Sequence, residues 1–239
     1  MKSVLSPVIP ARDRCLPVDE VFASMLPDAG LLRGRTIGCA GPAGMSLALA
    51  LAARAVTAGS WLAVVGVPML GIDAAIELGV SPSRLVMVDA DGGPSVWADR
   101  VAAAADGFEL ILTCPPPGAE RIAGKVRTRL QARGVVMLVV GSGSGVGSGV
   151  GSGVGVGSTS PSVACDLEFT TTAVSWEGLG QGHGYLFGRR ATVRAGGRRQ
   201  PRPIERQLWL PGPHGRVELV EPVEHERAVA PVIELSRVG

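Results

Sequence analysis

The chain has 239 residues and a formal net charge of +2, so it can bury a real core, and its overall charge selects neither nucleic acid nor an acidic surface as a partner. Arg carries nearly all the positive charge, with lysine only at Lys2 and Lys125; beside the high Ala, Gly, Val and Pro content this reads as coding bias of a GC-rich genome. Cys15, Cys39, Cys114 and Cys165 form no CxxC pair and do not cluster with His183, His214 or His225, which excludes metal-ligand spacing and reads as buried, reduced thiols of a cytoplasmic protein.

In chain order, the opening MKSVLSPVIPARDRC lacks a long apolar run ahead of its charges and is not a secretory signal. VDEVFASML predicts a helix from about Val18 to Leu26, ended near Pro27. GRTIGCA reads as a buried strand, and MSLALALAARAVTAG as a helix stopped by Gly59. SWLAVVGV is a second strand, GIDAAIELG a short helix closed by Gly79, and RLVMVD a third strand. PSVWADRVAAAADG is a helix with Pro94 in its first turn, FELILTC a fourth strand, GAERIAGKVRTRLQARG a helix and VVMLVVG a fifth strand. Short strands alternating with helices force crossovers, so the fold is α/β, with a mainly parallel sheet covered by helices on both faces. The uncharged runs Thr36–Ala53 and Ala55–Ile72 approach the ~18–20 residues that span a bilayer. Gly59, Gly66 and Pro68 cut the second, and a buried strand–helix–strand also reads as one apolar run; no membrane is implied.

At Gly141 the composition breaks. GSGSGVGSGVGSGVGVGSTSPS buries too little apolar surface to offset its ordering entropy and reads as a flexible loop over 141–162. VACDLEFTTTAVSWEG, GYLFGRRATVRA, RQLWLPG and GRVELVEP follow and predict antiparallel strands or hairpins. The expected division is an N-terminal helical segment (1–30), an α/β core (31–140), the Gly/Ser/Val-rich loop (141–162), a β-rich extension of the core (163–222) and a C-terminal tail (223–239).

GCAGPAGMSLALAL sets a Gly-rich turn after a strand and at the start of a helix, the setting of an anion-binding helix N-terminus. A phosphate-binding loop reads G-x-x-x-x-G-K-[ST]. Anchored on Gly44, this chain has Cys39 at the first glycine, Met45 at the lysine and Ser46 at the hydroxyl. Without the lysine a charge-assisted bond of ~1.5–3 kcal/mol is lost. FELILTC ends in Thr113 and Cys114 where a metal-holding strand ends in Asp, and Val65 to Val67 offer no carboxylate. Gly41, Gly44, Met45 and Ser46 are therefore expected to be a degenerate nucleotide loop.

From Leu31 to Val140 this order and spacing resemble the RecA superfamily with its nucleotide chemistry removed. LLRGRTIGCAGPAGMSLALALAARAV stands at the family's strand–loop–helix, WLAVVGVPMLGIDAAIELGVSPSRLVMVD at its next strand, helix and strand, and FELILTC at its Walker-B strand. Among degenerate members the chain most resembles the actinobacterial ImuA-type (ImuA′) mutagenesis factors. That resemblance implies a RecA-like, non-catalytic adaptor of the DNA-damage (SOS) response, cytoplasmic and nucleoid-associated on damage. It implies action in translesion synthesis with ImuB, an inactive Y-family polymerase homologue, and an error-prone C-family polymerase, and no cofactor. SulA-type cell-division inhibitors are the alternative relatives, and a weakly active RecA-like ATPase or DNA-binding protein is the alternative activity.

Two further segments are candidate surfaces. Arg189, Arg190, Arg194, Arg198, Arg199 and Arg202 crowd one stretch that reads as a solvated hairpin, a DNA surface or a partner surface. The tail VEHERAVAPVIELSRVG, with Val229, Val232, Ile233 and Leu235, suits an extended segment that docks on a partner, or a frayed end. Self-association is a further expectation. No Ser/His/Asp arrangement marks a nucleophile.

Overall fold

The computed structural model describes residues 14–68, 70–141, 162–179 and 184–220. The strands are β1 (Cys15–Leu16), β2 (Leu31–Leu32), β3 (Thr36–Ala40), β4 (Leu62–Val65), β5 (Leu85–Val88), β6 (Leu110–Thr113), β7 (Val136–Val140), β8 (Leu167–Leu179), β9 (Gly184–Gly197), β10 (Gln200–Trp209) and β11 (Glu218–Leu219). The helices are α1 (Glu20–Ala23), α2 (Gly44–Thr57), α3 (Ile72–Glu77), α4 (Pro94–Ala104) and α5 (Ala123–Arg133). β1 and β2 pair with each other. The other nine strands form one sheet in the order β11-β10-β9-β8-β3-β7-β6-β4-β5.

From β8 to β5 every pairing is parallel, while β8, β9, β10 and β11 follow one another antiparallel. The expected extension is thus continuous with the core, and its first strand corrects the antiparallel expectation. β8 lies parallel to β3, with Ile37 opposite Leu167 and Ala40 opposite Thr170.

Alternation along each buried strand feeds two cores. Leu62, Val64, Leu110, Leu112, Val136 and Leu138 face α2, α3 and α1. Ala63, Val65, Ile111, Met137 and Val139 face Trp97 and Val101 of α4 and Val126 and Leu130 of α5. α2 forms because Ala and Leu favour helix and no β-branched run opposes it. Gly59, at φ 115°, ends it, as Gly59 and Ser60 donate to the carbonyls of Val56 and Ala55.

The N-terminal helix is shorter than the predicted Val18–Leu26. Asp19 caps it by accepting from the Val21 amide at 3.1 Å, which sets its start at Glu20. Met25 and Leu26 then donate to the carbonyls three residues back, so the helix tightens before Pro27. Phe22 is fully buried and meets Phe169 of β8 edge to face at 6.2 Å. This contact fastens α1 over the junction of core and extension. Among the described residues no helix is long and apolar enough to cross a membrane.

Candidate functional site

The Gly-rich turn is the residue trio Gly41–Ala43, between the end of β3 and the start of α2. It sits at the C-terminal edge of a central parallel strand, where open α/β sheets bind ligands. Part of its backbone is already engaged. Pro42 brings no amide. Gly44 donates to the Gly41 carbonyl at 3.0 Å. Ala43, buried, donates to Oγ1 of Thr171 at 3.0 Å, and that hydroxyl donates to the Ala40 carbonyl at 3.2 Å. Thr171 thus does for the Ala43 amide what a phosphate oxygen does in a phosphate cradle.

The turn is also clamped sterically. Gly41 has φ 89°, and a Cβ there would collide with the Thr171 carbonyl oxygen. Cys39, at the template's first glycine, lies inside β3 and is wholly buried. Burial pushes its thiol well above the usual range. Met45 and Ser46 are half-buried in the first turn of α2, and no side chain caps that helix.

A second buried hydroxyl stands at the end of β6. Thr113 ends β6 and is fully buried. Its Oγ1 accepts from Nε1 of buried Trp97 at 2.7 Å and donates to the Val65 carbonyl at 2.8 Å. The end of β6 is thereby tied to α4 and β4 by a closed hydrogen-bond chain. Among the described residues no cluster of His, Cys, Asp or Glu could hold a metal ion.

The arginine stretch does not form one surface. Successive strand residues point to opposite faces, and Arg189 and Arg190 part accordingly. Arg189 donates from Nε to the Leu210 carbonyl at 2.6 Å and stacks on Trp176 at 5.1 Å. Its burial lowers its pKa, opposed by the charge of Glu77. Arg190 lies over Trp209 at 4.8 Å, with Nε 3.3 Å from Glu177. Arg194 stands in register with Glu205, and Arg199 lies 4.0 Å from Asp28. Arg198 and Arg202 are exposed at the β9–β10 turn and in β10. Val229, Val232, Ile233 and Leu235 lie outside the described residues, as do His183, His225 and most of the Gly/Ser/Val-rich loop.

Sequence reasoning did not find the exposed large apolar side chains. Apart from Leu219 in β11, they fall into two groups, one in the β8–β9 hairpin and one at the β5 end of the strand order. Trp176, Tyr185, Leu186 and Phe187 stand on the outer part of the β8–β9 hairpin, Tyr185 at 91% exposure. Trp61, Ile72, Ile76, Val86 and Met87 belong to the β4–α3–β5 unit at the far edge. Aromatic content was visible in the sequence, but nothing local marks which strands lie outermost.

A family model described as "MT3502 N-terminal domain" matches residues 24–145, just over half of the chain, and the chain belongs to that family. The matched region includes β2 to β7 and α2 to α5, and ends before β8. No curated protein matches the sequence.

Proposed function

We propose that this member of the MT3502 N-terminal domain family is a non-catalytic, RecA-like adaptor of the DNA-damage response. It would act in the cytoplasm, at the nucleoid after damage, and support translesion synthesis by binding an inactive Y-family polymerase homologue of the ImuB type and an error-prone C-family polymerase. The RecA-like part of the reading is supported by a strand–turn–helix on the central parallel strand, with the β6 end one strand removed from it. The non-catalytic part is supported by Thr171 and Thr113, whose hydroxyls take up the positions that would serve a phosphate and a metal. Ligand binding then passes from a cleft to a surface.

The observation that carries the adaptor reading is the β8–β9 hairpin. Tyr185 and Phe187 on one face of β9, with Trp176 beside them on β8 and Leu186 on the other face, are exposed large apolar side chains that cost solubility unless a partner covers them. Aromatic side chains are also the residues that dominate protein–protein interfaces. The test is co-purification of the full chain with each polymerase component, using wild type and Tyr185→Ser with Phe187→Ser. The reading expects a wild-type complex and at least a tenfold loss of affinity in the variant, or ~1.4 kcal/mol. Complexes of equal strength would remove the hairpin from the account, and no binding to either component would remove the mutagenesis reading.

A further inference from the structure

The hairpin reading leaves the other apolar surface, at the β5 edge, unused. A sheet ends in a row of unpaired amides and carbonyls, which proteins guard with proline, charge or very short strands. The two ends of this sheet differ. On its outer side β10 is flanked, among the described residues, only by the two-residue β11, and it carries Pro201, Arg202, Pro203, Glu205 and Arg206. β5 carries Leu85, Val86, Met87 and Val88, with neither proline nor charge. The Gly66 amide donates to the Val88 carbonyl at 3.0 Å, so Val88 and, by the strand period, Val86 bond inward to β4. Leu85 and Met87 therefore turn their backbone groups outward. Val86 and Met87 are exposed, as are Ile72 and Ile76 in the preceding helix.

We propose that β5 pairs antiparallel with β5 of a second copy, which carries the sheet across a two-fold axis. Charge selects this occupant. Arg84 precedes the strand, and Asp89 and Asp91 follow it. An antiparallel two-fold pair sets one residue opposite itself. With Met87 opposite Met87, Val86 faces Val88, and Leu85 faces Asp89. Each Arg84 then falls opposite Ala90 of the other copy, so its charge lies at the end of the pair where that copy carries Asp89 and Asp91, whose side chains turn to the other face. Outward-turned residues meet outward-turned residues, so Met87 exchanges hydrogen bonds with Met87 of the other copy and Leu85 with its Asp89. Arg84 donates from one nitrogen to the Gly59 carbonyl at 2.6 Å and lies over Trp61, so its charge is held beside the strand and attracts the carboxylates through space rather than by direct bonds. A parallel pair would instead set Arg84 beside Arg84 and aspartate beside aspartate. The polymerase components play no part in this pairing.

The test is sedimentation of the full chain at rising concentration through the micromolar range. Met87→Pro removes an outward amide at an edge position that tolerates proline, and Met87→Lys sets a charge on the open edge. The expected result is a wild-type dimer that weakens with salt, monomers for both variants with wild-type circular dichroism, and a Tyr185→Ser control that stays dimeric. If the proline variant fails to fold, the lysine variant, altered at an exposed side chain, carries the comparison. A wild-type chain that is monomeric throughout, or a dimer that survives Met87→Lys, overturns the proposal.

Discussion

Replacing Thr171 with Val removes one oxygen from the centre of the Gly-rich turn and changes little else. Valine keeps the β-branched shape, so the strand preference and packing volume of β8 persist. The Ala43 amide loses the acceptor at 3.0 Å, and the Ala40 carbonyl loses its donor at 3.2 Å. Ala40, Ala43 and Thr171 are each about 1–2% exposed, so water has no ready route to replace the hydroxyl. A buried amide left without a partner costs ~1–3 kcal/mol. For a chain of this size each kcal/mol moves the melting temperature by about 2–4 °C, which gives a fall of about 2–12 °C. The control is Thr172→Val, one residue along on the exposed side, where the change stays within ~0.5 kcal/mol. Thermal and urea unfolding followed by circular dichroism read both variants. If Thr171→Val proves as mild as Thr172→Val, the amide has another partner in solution and the turn is not self-satisfied.

Further outcomes follow from the packing and the thiols. Phe22→Ala and Phe169→Ala each cost ~3–5 kcal/mol, and a double-mutant cycle on urea midpoints gives a coupling of ~0.5–1.5 kcal/mol for the edge-to-face pair; strict additivity would place the rings apart in solution. Burial first, then the carboxylates of Glu168 and Asp166, pushes the Cys165 thiol up to about 12, and burial also raises Cys39. Below the ordinary thiol pKa of 9.0 both thiols are protonated folded or unfolded, and their contribution to stability is fully present. Above it only the unfolded chain loses these protons, so stability falls towards pH 12 by up to ~1.4 kcal/mol per pH unit for each thiol. Urea midpoints at pH 8 and pH 10 check this, and a Cys39→Ala variant should lose part of the slope.

The parallel half of the fold was legible because buried strands read as unbroken apolar runs and glycine punctuates their helices. Gly59 and Gly134 both end helices at positive φ, as their places in the sequence suggest. The departures from a phosphate-binding template, Met45 and Thr113, were legible in the sequence. The hydroxyl that satisfies the turn was not, because the hydrogen bond from Ala43 to Thr171 spans 128 residues. A threonine in TTT carries no local sign of which member turns inward, and here the middle one of the segment 170–172 does. The division of the arginine stretch follows from strand alternation once β9 is known to run without a break through Arg189 and Arg190. The edge position of β5 was hidden for the opposite reason: LVMV is equally apolar at a sheet's centre and at its rim.

If Thr171 and Thr113 have closed a nucleotide site, as we propose, the full chain does not bind Mg·ATP. A ligand present at a hundred times its Kd stabilises the folded state by ~2.7 kcal/mol, a shift of several degrees in a melting scan. Millimolar Mg·ATP then gives no shift and no heat of binding. Micromolar affinity that Ser46→Ala weakens would contradict the proposal.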